Sequence, residues 1–209
     1  MKLVCISDTH GHHRSLTLPE GDVLLHAGDF HRDHNNTDEI EDFNEWLGSL
    51  DYTHKVIIAG NHDFCLEWLP AYNQKKITNA VYLRDSSVEI EGFKIYGSPW
   101  TPRFFDWAFN QDRGQESAER WAKIPDDTDI LITHGPPHGI LDRVYNKGDH
   151  LGCEELRKRV DDLTLKLHVF GHIHAGYGDM FCEKTRYVNA SACNERYSPT
   201  QEPIVVELN

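Results

Sequence analysis

Five short apolar stretches in this chain each run straight into a cluster of polar, metal-ligating side chains, and that repeated juxtaposition narrows the available folds more than any other property. Residues 2–7 lead into Asp8-Thr9-His10, residues 22–27 into Gly28-Asp29, and residues 55–59 into Gly60-Asn61-His62-Asp63. Further along, residues 129–133 lead into His134-Gly135-Pro136-Pro137 and residues 167–170 into Gly171-His172-Ile173-His174. The stretches are short and rich in Val, Ile and Leu, the mark of strands buried on both faces. A sheet built from them sets every polar cluster where a strand gives way to a loop, the place where distant sequence is gathered into one pocket.

Between the second and third stretches, Ile40, Phe43, Trp46, Leu47 and Leu50 recur at helical spacing, so residues 36–50 are expected to form an amphipathic helix. Asn36 is placed to cap it, and Asp38, Glu39 and Glu41 complement its dipole. The Phe43 and Trp46 stripe reads as core. Residues 87–90 and 93–96 flank Glu91-Gly92 in the manner of a hairpin, which adds an antiparallel element and implies mixed sheets. Helical patterns at 115–123 and 152–160 separate strands at 129–133, 167–170, 186–189 and 204–207. Residues 98–114, with Trp100, Phe104, Phe105, Trp107 and Phe109, read as an ordered loop, either a lid or a packed cover.

A length of 209 residues with 39% hydrophobic composition suits one well-buried domain, 1–209. Lys plus Arg number 21 against 34 Asp plus Glu, a net charge of −13 that disfavours an extended nucleic-acid footprint or an anionic membrane partner. A small anionic substrate stays compatible, because divalent cations held by only two carboxylates leave a pocket locally positive. No stretch approaches a membrane span and the first residues run at once into a polar cluster, so the expected compartment is cytoplasmic. Cys5, Cys65, Cys153, Cys182 and Cys193 are odd in number and widely spread, which suits reduced thiols.

Any single histidine among 14 is ordinarily a surface or hydrogen-bonded residue, so the metal reading rests on the whole series rather than on one cluster. Asp8, His10, Asp29, Asn61, His134, His172 and His174 offer carboxylate, amide and imidazole donors, a mixture suited to Mn, Fe or Zn and poor for Ca. Hydrolysis at phosphorus needs a hydroxide nucleophile and neutralisation of phosphoryl charge, and two cations roughly 3.5 to 4 Å apart supply both. A carboxylate is the natural bridge between them.

Together with Gly97-Ser98-Pro99-Trp100-Thr101-Pro102, Leu131-Ile132-Thr133 before His134, Gly176-Tyr177-Gly178 and Val188-Asn189-Ala190-Ser191, the series resembles the calcineurin-like metallophosphoesterase superfamily. Within it the likeness is to the metallophosphoesterase-domain-containing family known from brain and bacterial relatives, and it runs nearly end to end. The resemblance implies an α/β (α+β) fold, a four-layer sandwich of two mixed β-sheets flanked by helices. It implies two divalent or mixed-valence transition-metal ions per chain, one on Asp8, His10 and His174, the other on Asn61, His134 and His172, with Asp29 bridging. It makes His62 the general acid or transition-state stabiliser and Asp63 its orienting partner.

The implied reaction is hydrolysis of a small phosphodiester, such as a 2′,3′- or 3′,5′-cyclic nucleotide. A phosphomonoesterase, a protein phosphatase or a nuclease on the same scaffold are the alternatives, and a non-catalytic interaction module, in which the ligands should erode, is a further one. On the substrate side, Trp100 or Phe104 is placed to stack on a base, and Arg103, Asn110 or Arg113 to contact phosphate or ribose. The plainer reading of those aromatics is packing.

Overall fold

The computed structural model of the chain describes residues 1–32, 38–144 and 149–208. Along the chain the strands are β1 (Lys2–Ile6), β2 (Val23–His26), β3 (His54–Ile57), β4 (Val81–Tyr82), β5 (Ser86–Ile90), β6 (Phe93–Ser98), β7 (Thr101–Pro102), β8 (Asn110–Gln111), β9 (Ile130–Thr133), β10 (Leu167–Phe170), β11 (Gly178–Cys182), β12 (Thr185–Asn189) and β13 (Ile204–Glu207). The helices are α1 (Asp38–Ser49), α2 (Phe64–Trp68), α3 (Pro70–Asn73), α4 (Gln115–Trp121) and α5 (Glu154–Asp161).

One sheet runs β13-β1-β2-β3-β4, parallel throughout except for β13, which pairs antiparallel with β1. The other runs β11-β12-β10-β9-β6-β5, with its four inner strands parallel and both edges antiparallel. The expected hairpin joins β5 to β6, where Glu91 and Gly92 take φ values of 51° and 81°, the left-handed pair that matches strand twist.

Strand alternation explains how these strands are apolar on both faces. Leu3, Cys5, Leu25, Val56 and Ile58 of the first sheet meet Ile95, Ile130, Ile132, Val169 and Val188 of the second in a common core. The intervening residues Val4, Ile6, Leu24 and Ile57 pack instead on Ile40, Phe43, Trp46 and Leu47 of α1. On the far side Tyr96, Leu131, Phe170 and Tyr187 pack on Trp121, Leu156 and Val160 of α4 and α5. Each such side chain removed wholly from water contributes about 1.5–3 kcal/mol. The outcome is the expected sandwich of two mixed sheets between helices.

The helix expected at 36–50 is described over Asp38–Ser49, with Asp38, Glu39 and Glu41 acidic at its first turn; Asn36 lies outside the described residues. Two short helices, α2 and α3, and strands β4 and β11 add to what periodicity indicates. Residues 98–114 contain a small parallel ribbon of β7 and β8. Among the described residues no helix is long and apolar enough to cross a membrane.

Candidate metal centre

The loops that follow β1, β2, β3, β9 and β10 meet at one end of the sandwich. Their backbones are bent sharply: Asp8, His10, Asp29 and His172 take φ values of 50°, 41°, 58° and 67°. Non-glycine residues seldom adopt this region, and holding one there costs on the order of 1–3 kcal/mol. The cost is met by cross-loop hydrogen bonds, Asp8 N–H to Gly28 O at 2.9 Å, His10 N–H to Asp29 O at 3.0 Å and Gly171 N–H to His134 O at 2.9 Å. Glycine is required at 60 and 171 because the loops touch there. A Cβ on Gly171 would strike the Asp8 carboxylate and Ser7, and one on Gly60 would strike Asp29 and the His134 ring.

The side chains these loops deliver are electron-rich and face one another. His134 uses Nδ1–H on the Ala27 carbonyl at 2.8 Å, so Nε2 presents a lone pair 2.8 Å from Asn61 Oδ1 and 3.2 Å from Asp29 Oδ2. His174 likewise uses Nδ1–H on the Asn194 carbonyl at 2.9 Å, leaving Nε2 3.2 Å from Asp8 Oδ1 and 3.4 Å from His10 Nε2. His10 Nε2 stands 3.9 Å from Asp29 Oδ2 and 4.0 Å from Asp8 Oδ1. Acceptors converge in this way around a cation, and a histidine whose second nitrogen is fixed on a carbonyl is the usual metal-binding arrangement. The buried Asn61 Nδ2 has no hydrogen-bond partner, as befits an amide whose oxygen is the working atom.

Ligand atoms of Asp8, His10 and His174 lie within 4.8 Å of one another, as do those of Asp8, Asp29 and His134, and those of His10, Asp29 and His62. The His172 ring packs 5.1 Å from that of His134, and the backbone N–H of His172 donates to the Asp8 carboxylate at 3.0 and 3.1 Å. The seven residues expected as ligands are thus brought to the same end of the sandwich, where Asp29, Asn61, His172 and His174 line the cleft and Asp29 neighbours both His10 and His134. Ser191, whose hydroxyl donates to Asp8 Oδ2 at 2.9 Å, fixes the Asp8 carboxylate from behind.

Burial works to raise both carboxyls, but the His174 hydrogen bond and charge bring Asp8 well below the usual range, and the charges of His134 and His62 do the same to Asp29. Burial would lower His134, yet Asp29 beside it lifts it to about 9. His172 is pushed down to about 3, by burial first and then by the His134 charge.

His62 sits at the edge of this floor. Its N–H donates to Asp29 Oδ1 at 2.7 Å, and its ring lies edge-on to His10 at 4.9 Å and against Trp107 at 4.6 Å. The expectation that Asp63 orients the His62 ring is corrected by its bonds. Asp63 Oδ2 accepts the N–H groups of Asp29 and Gly60 at 2.9 and 2.7 Å, and Oδ1 accepts the N–H and Nδ1–H of His31 at 3.1 and 2.8 Å. The chain enters α2 directly after Asp63, which turns that carboxylate beneath the loops while His62 faces the cleft.

Above the floor opens a cleft of about 630 Å³ whose walls include Arg103, Phe104, Trp107, Glu195 and Tyr197. Of the four expected substrate contacts, Arg103 and Arg113 line it. Arg103 is paired with Asp112 through Nε at 2.6 Å; Arg113 is tied to Glu154 and to the carbonyls of Gly152 and Leu151. Trp100 and Asn110 are placed elsewhere. The β7–β8 ribbon folds Trp100 inward, where Nε1 donates to Asp85 at 2.9 Å and the ring lies 3.6 Å beneath the Arg120 guanidinium. Asn110 stitches the loop to itself through Phe104 N–H and Phe105 O. The segment is thus cover at Trp100 and wall at Phe104 and Trp107. Tyr197, 4.8 Å from the His10 ring, and Asn194, which anchors His174, carry no periodic or motif signal that sequence reading could use.

The sequence profile of the calcineurin-like phosphoesterase family matches residues 1–176. Human metallophosphoesterase domain-containing protein 1 is 46% identical over 231 residues, covering 99% of this chain and 71% of the human protein. A UPF0046 protein of Caenorhabditis elegans is 37% identical over 239 residues, which span all of this chain and 60% of the worm protein. Among solved structures, phosphopantetheinyl hydrolase (PptH) from Mycobacterium tuberculosis shares the fold, with a TM-score of 0.62 at 14% identity over 97% of this chain and 95% of that one.

Proposed function

This chain belongs to the calcineurin-like phosphoesterase family, and from that premise we propose that it is a phosphodiesterase acting on small phosphodiesters, 2′,3′- or 3′,5′-cyclic nucleotides among them, at a two-metal centre. Membership makes it a metal-dependent phosphoric ester hydrolase. Asp8, His10 and His174 would hold one cation, Asn61, His134 and His172 the other, and Asp29 both. Cations of the Mn, Fe or Zn type fit this donor set. When bound they activate water and neutralise phosphoryl oxygens.

The chain's own residues divide the remaining work. As the phosphorus–oxygen bond to the leaving group breaks, that oxygen takes a proton from the His62 ring. Asp29 holds the loop that carries this ring through the His62 N–H at 2.7 Å. The observation that carries the choice of a small diester is the cleft. It is walled by Phe104, Trp107 and Tyr197, its arginines are already paired with Asp112 and Glu154, and Glu195 and Asp149 also line it. Such walls favour a compact ester with one charge and a planar substituent over a polyanion or a nucleic acid strand. The acidic balance of −13 and five free cysteines suit a cytoplasmic enzyme without a membrane partner.

The test is a panel of cyclic nucleotides, bis(p-nitrophenyl) phosphate, p-nitrophenyl phosphate and phosphopeptides with added Mn²⁺. Diester cleavage is expected to lead. Exclusive monoester cleavage would overturn the reading in favour of a phosphomonoesterase or protein phosphatase.

A further inference from the structure

We infer that His31, which lies outside the ligand set, is a positioning residue that fixes the Asp29 backbone through Asp63 and thereby sets how tightly the centre holds its cations. The inference rests on the metal reading above but on no choice of substrate.

His31 is fully buried two residues beyond Asp29, and both ring nitrogens are engaged. Nδ1–H donates to Asp63 Oδ1 at 2.8 Å, and Nε2 meets Cys65 Sγ of α2 at 3.3 Å. The ring also lies against Phe30 at 4.5 Å, so it has no freedom to turn. Asp63 passes this order on. Its other oxygen accepts Asp29 N–H at 2.9 Å and Gly60 N–H at 2.7 Å, and so locks the loop after β2 to the loop after β3. Those loops carry Asp29, Asn61 and His62.

Removal of the imidazole leaves Asp63 Oδ1 with the His31 backbone N–H alone, in a region packed by Phe30, Phe64 and Leu66. A buried carboxylate short of a donor shifts to find one. Asp29 would then lose the fixed acceptor that holds its backbone at a φ of 58°, and its oxygens would lose their register with His134 and His10. Loss of an outer partner of this kind typically weakens metal binding by about 10- to 100-fold.

The experiment compares the full-length wild type with His31→Ala and His31→Asn, whose amide N–H can stand in for Nδ1–H. Mn²⁺ affinity is measured by titration of metal-free protein, alongside its melting temperature and the hydrogen exchange of the Asp29 and Gly60 amides. His31→Ala should bind Mn²⁺ about 10- to 100-fold more weakly and exchange both amides faster, whereas His31→Asn should stay within about threefold of wild type. His31→Phe, which fills the volume without polar atoms, replaces Ala if that variant does not fold. A lower melting temperature with unchanged Mn²⁺ affinity would make His31 a core residue only and overturn the inference. Wild-type protein that takes up no Mn²⁺ would instead sink the metal reading, and the inference with it.

Discussion

The backbone N–H of His62 donates to Oδ1 of Asp29 at 2.7 Å, while its ring Nε2 stands 4.0 Å from the other oxygen of the same carboxylate. The proposed acid and the proposed bridge are thus one mechanical unit. Asp29→Ala should abolish metal uptake and turnover together and also loosen the 60–63 loop. Asp29→Asn, which keeps an acceptor for that N–H, should lose the metal but retain the loop. Metal analysis beside amide exchange at His62 separates the two, and near-normal turnover of the Ala variant with added Mn²⁺ would refute the bridging role.

His62→Ala should leave metal content nearly intact, because the ring lies at the edge of the floor, and cut turnover by about a hundredfold or more. Stoichiometric loss of metal in this variant would make His62 a ligand.

Gly171→Ala should damage the centre without touching a ligand. The added methyl group would run into the Asp8 carboxylate and Ser7. Overpacking of this sort costs about 1–3 kcal/mol, so a lowered melting temperature together with weakened Mn²⁺ binding is expected. Wild-type values for both would show that the loops are looser than described.

Phe104 and Trp100 belong to one loop yet should respond differently. Phe104 is half-exposed on the cleft wall, so Phe104→Ala should raise KM for a cyclic nucleotide by about fivefold or more, the scale of one base stack, with little change in melting temperature. Trp100 packs under Arg120, so Trp100→Ala should cost about 3 kcal/mol of stability instead. Steady-state kinetics and thermal melts on both variants check the division.

His168 should make stability depend on pH. Thr133 Oγ1 donates to Gly135 O and accepts from His168 Nε2 at 2.8 Å, which leaves the buried Nδ1 without a partner. Burial pushes this imidazole down to about 3, so the unfolded chain binds the proton first. The His168 contribution to stability is therefore complete above the unfolded value of about 6.5 and is lost as pH falls toward 3, by at most about 1.4 kcal/mol per pH unit. His168→Gln should flatten denaturant midpoints between pH 6.5 and 4 relative to wild type; parallel curves would show that His168 takes a proton in the folded state.

The two sheets were legible because their inner strands are apolar on both faces and end at polar clusters, so Asp8, Asp29, His134 and His172 announced both the strand ends and the floor. Helix α1 declared itself by the spacing of Ile40, Phe43 and Leu47. Helices α2 and α3 did not, being too short for a period to emerge. Trp100 and Phe104 look alike in sequence, and only the β7–β8 pairing decides which packs under Arg120 and which faces the cleft. Tyr197 reaches the centre by a turn built on Asn194, a tertiary fact with no local pattern behind it. In sequence Asp63 reads as a partner of its neighbour, whereas its bonds run across to Asp29, Gly60 and His31.

Asp8, Asp29 and Asn61 stand on loops of the five-stranded sheet, and His134, His172 and His174 on loops of the six-stranded one. Neither half carries a full complement of donors. Ions lodged among them would rivet the two slabs at one end of the seam and resist their slip, so a chelator should slacken that end first, while the oily interior further down stays shut.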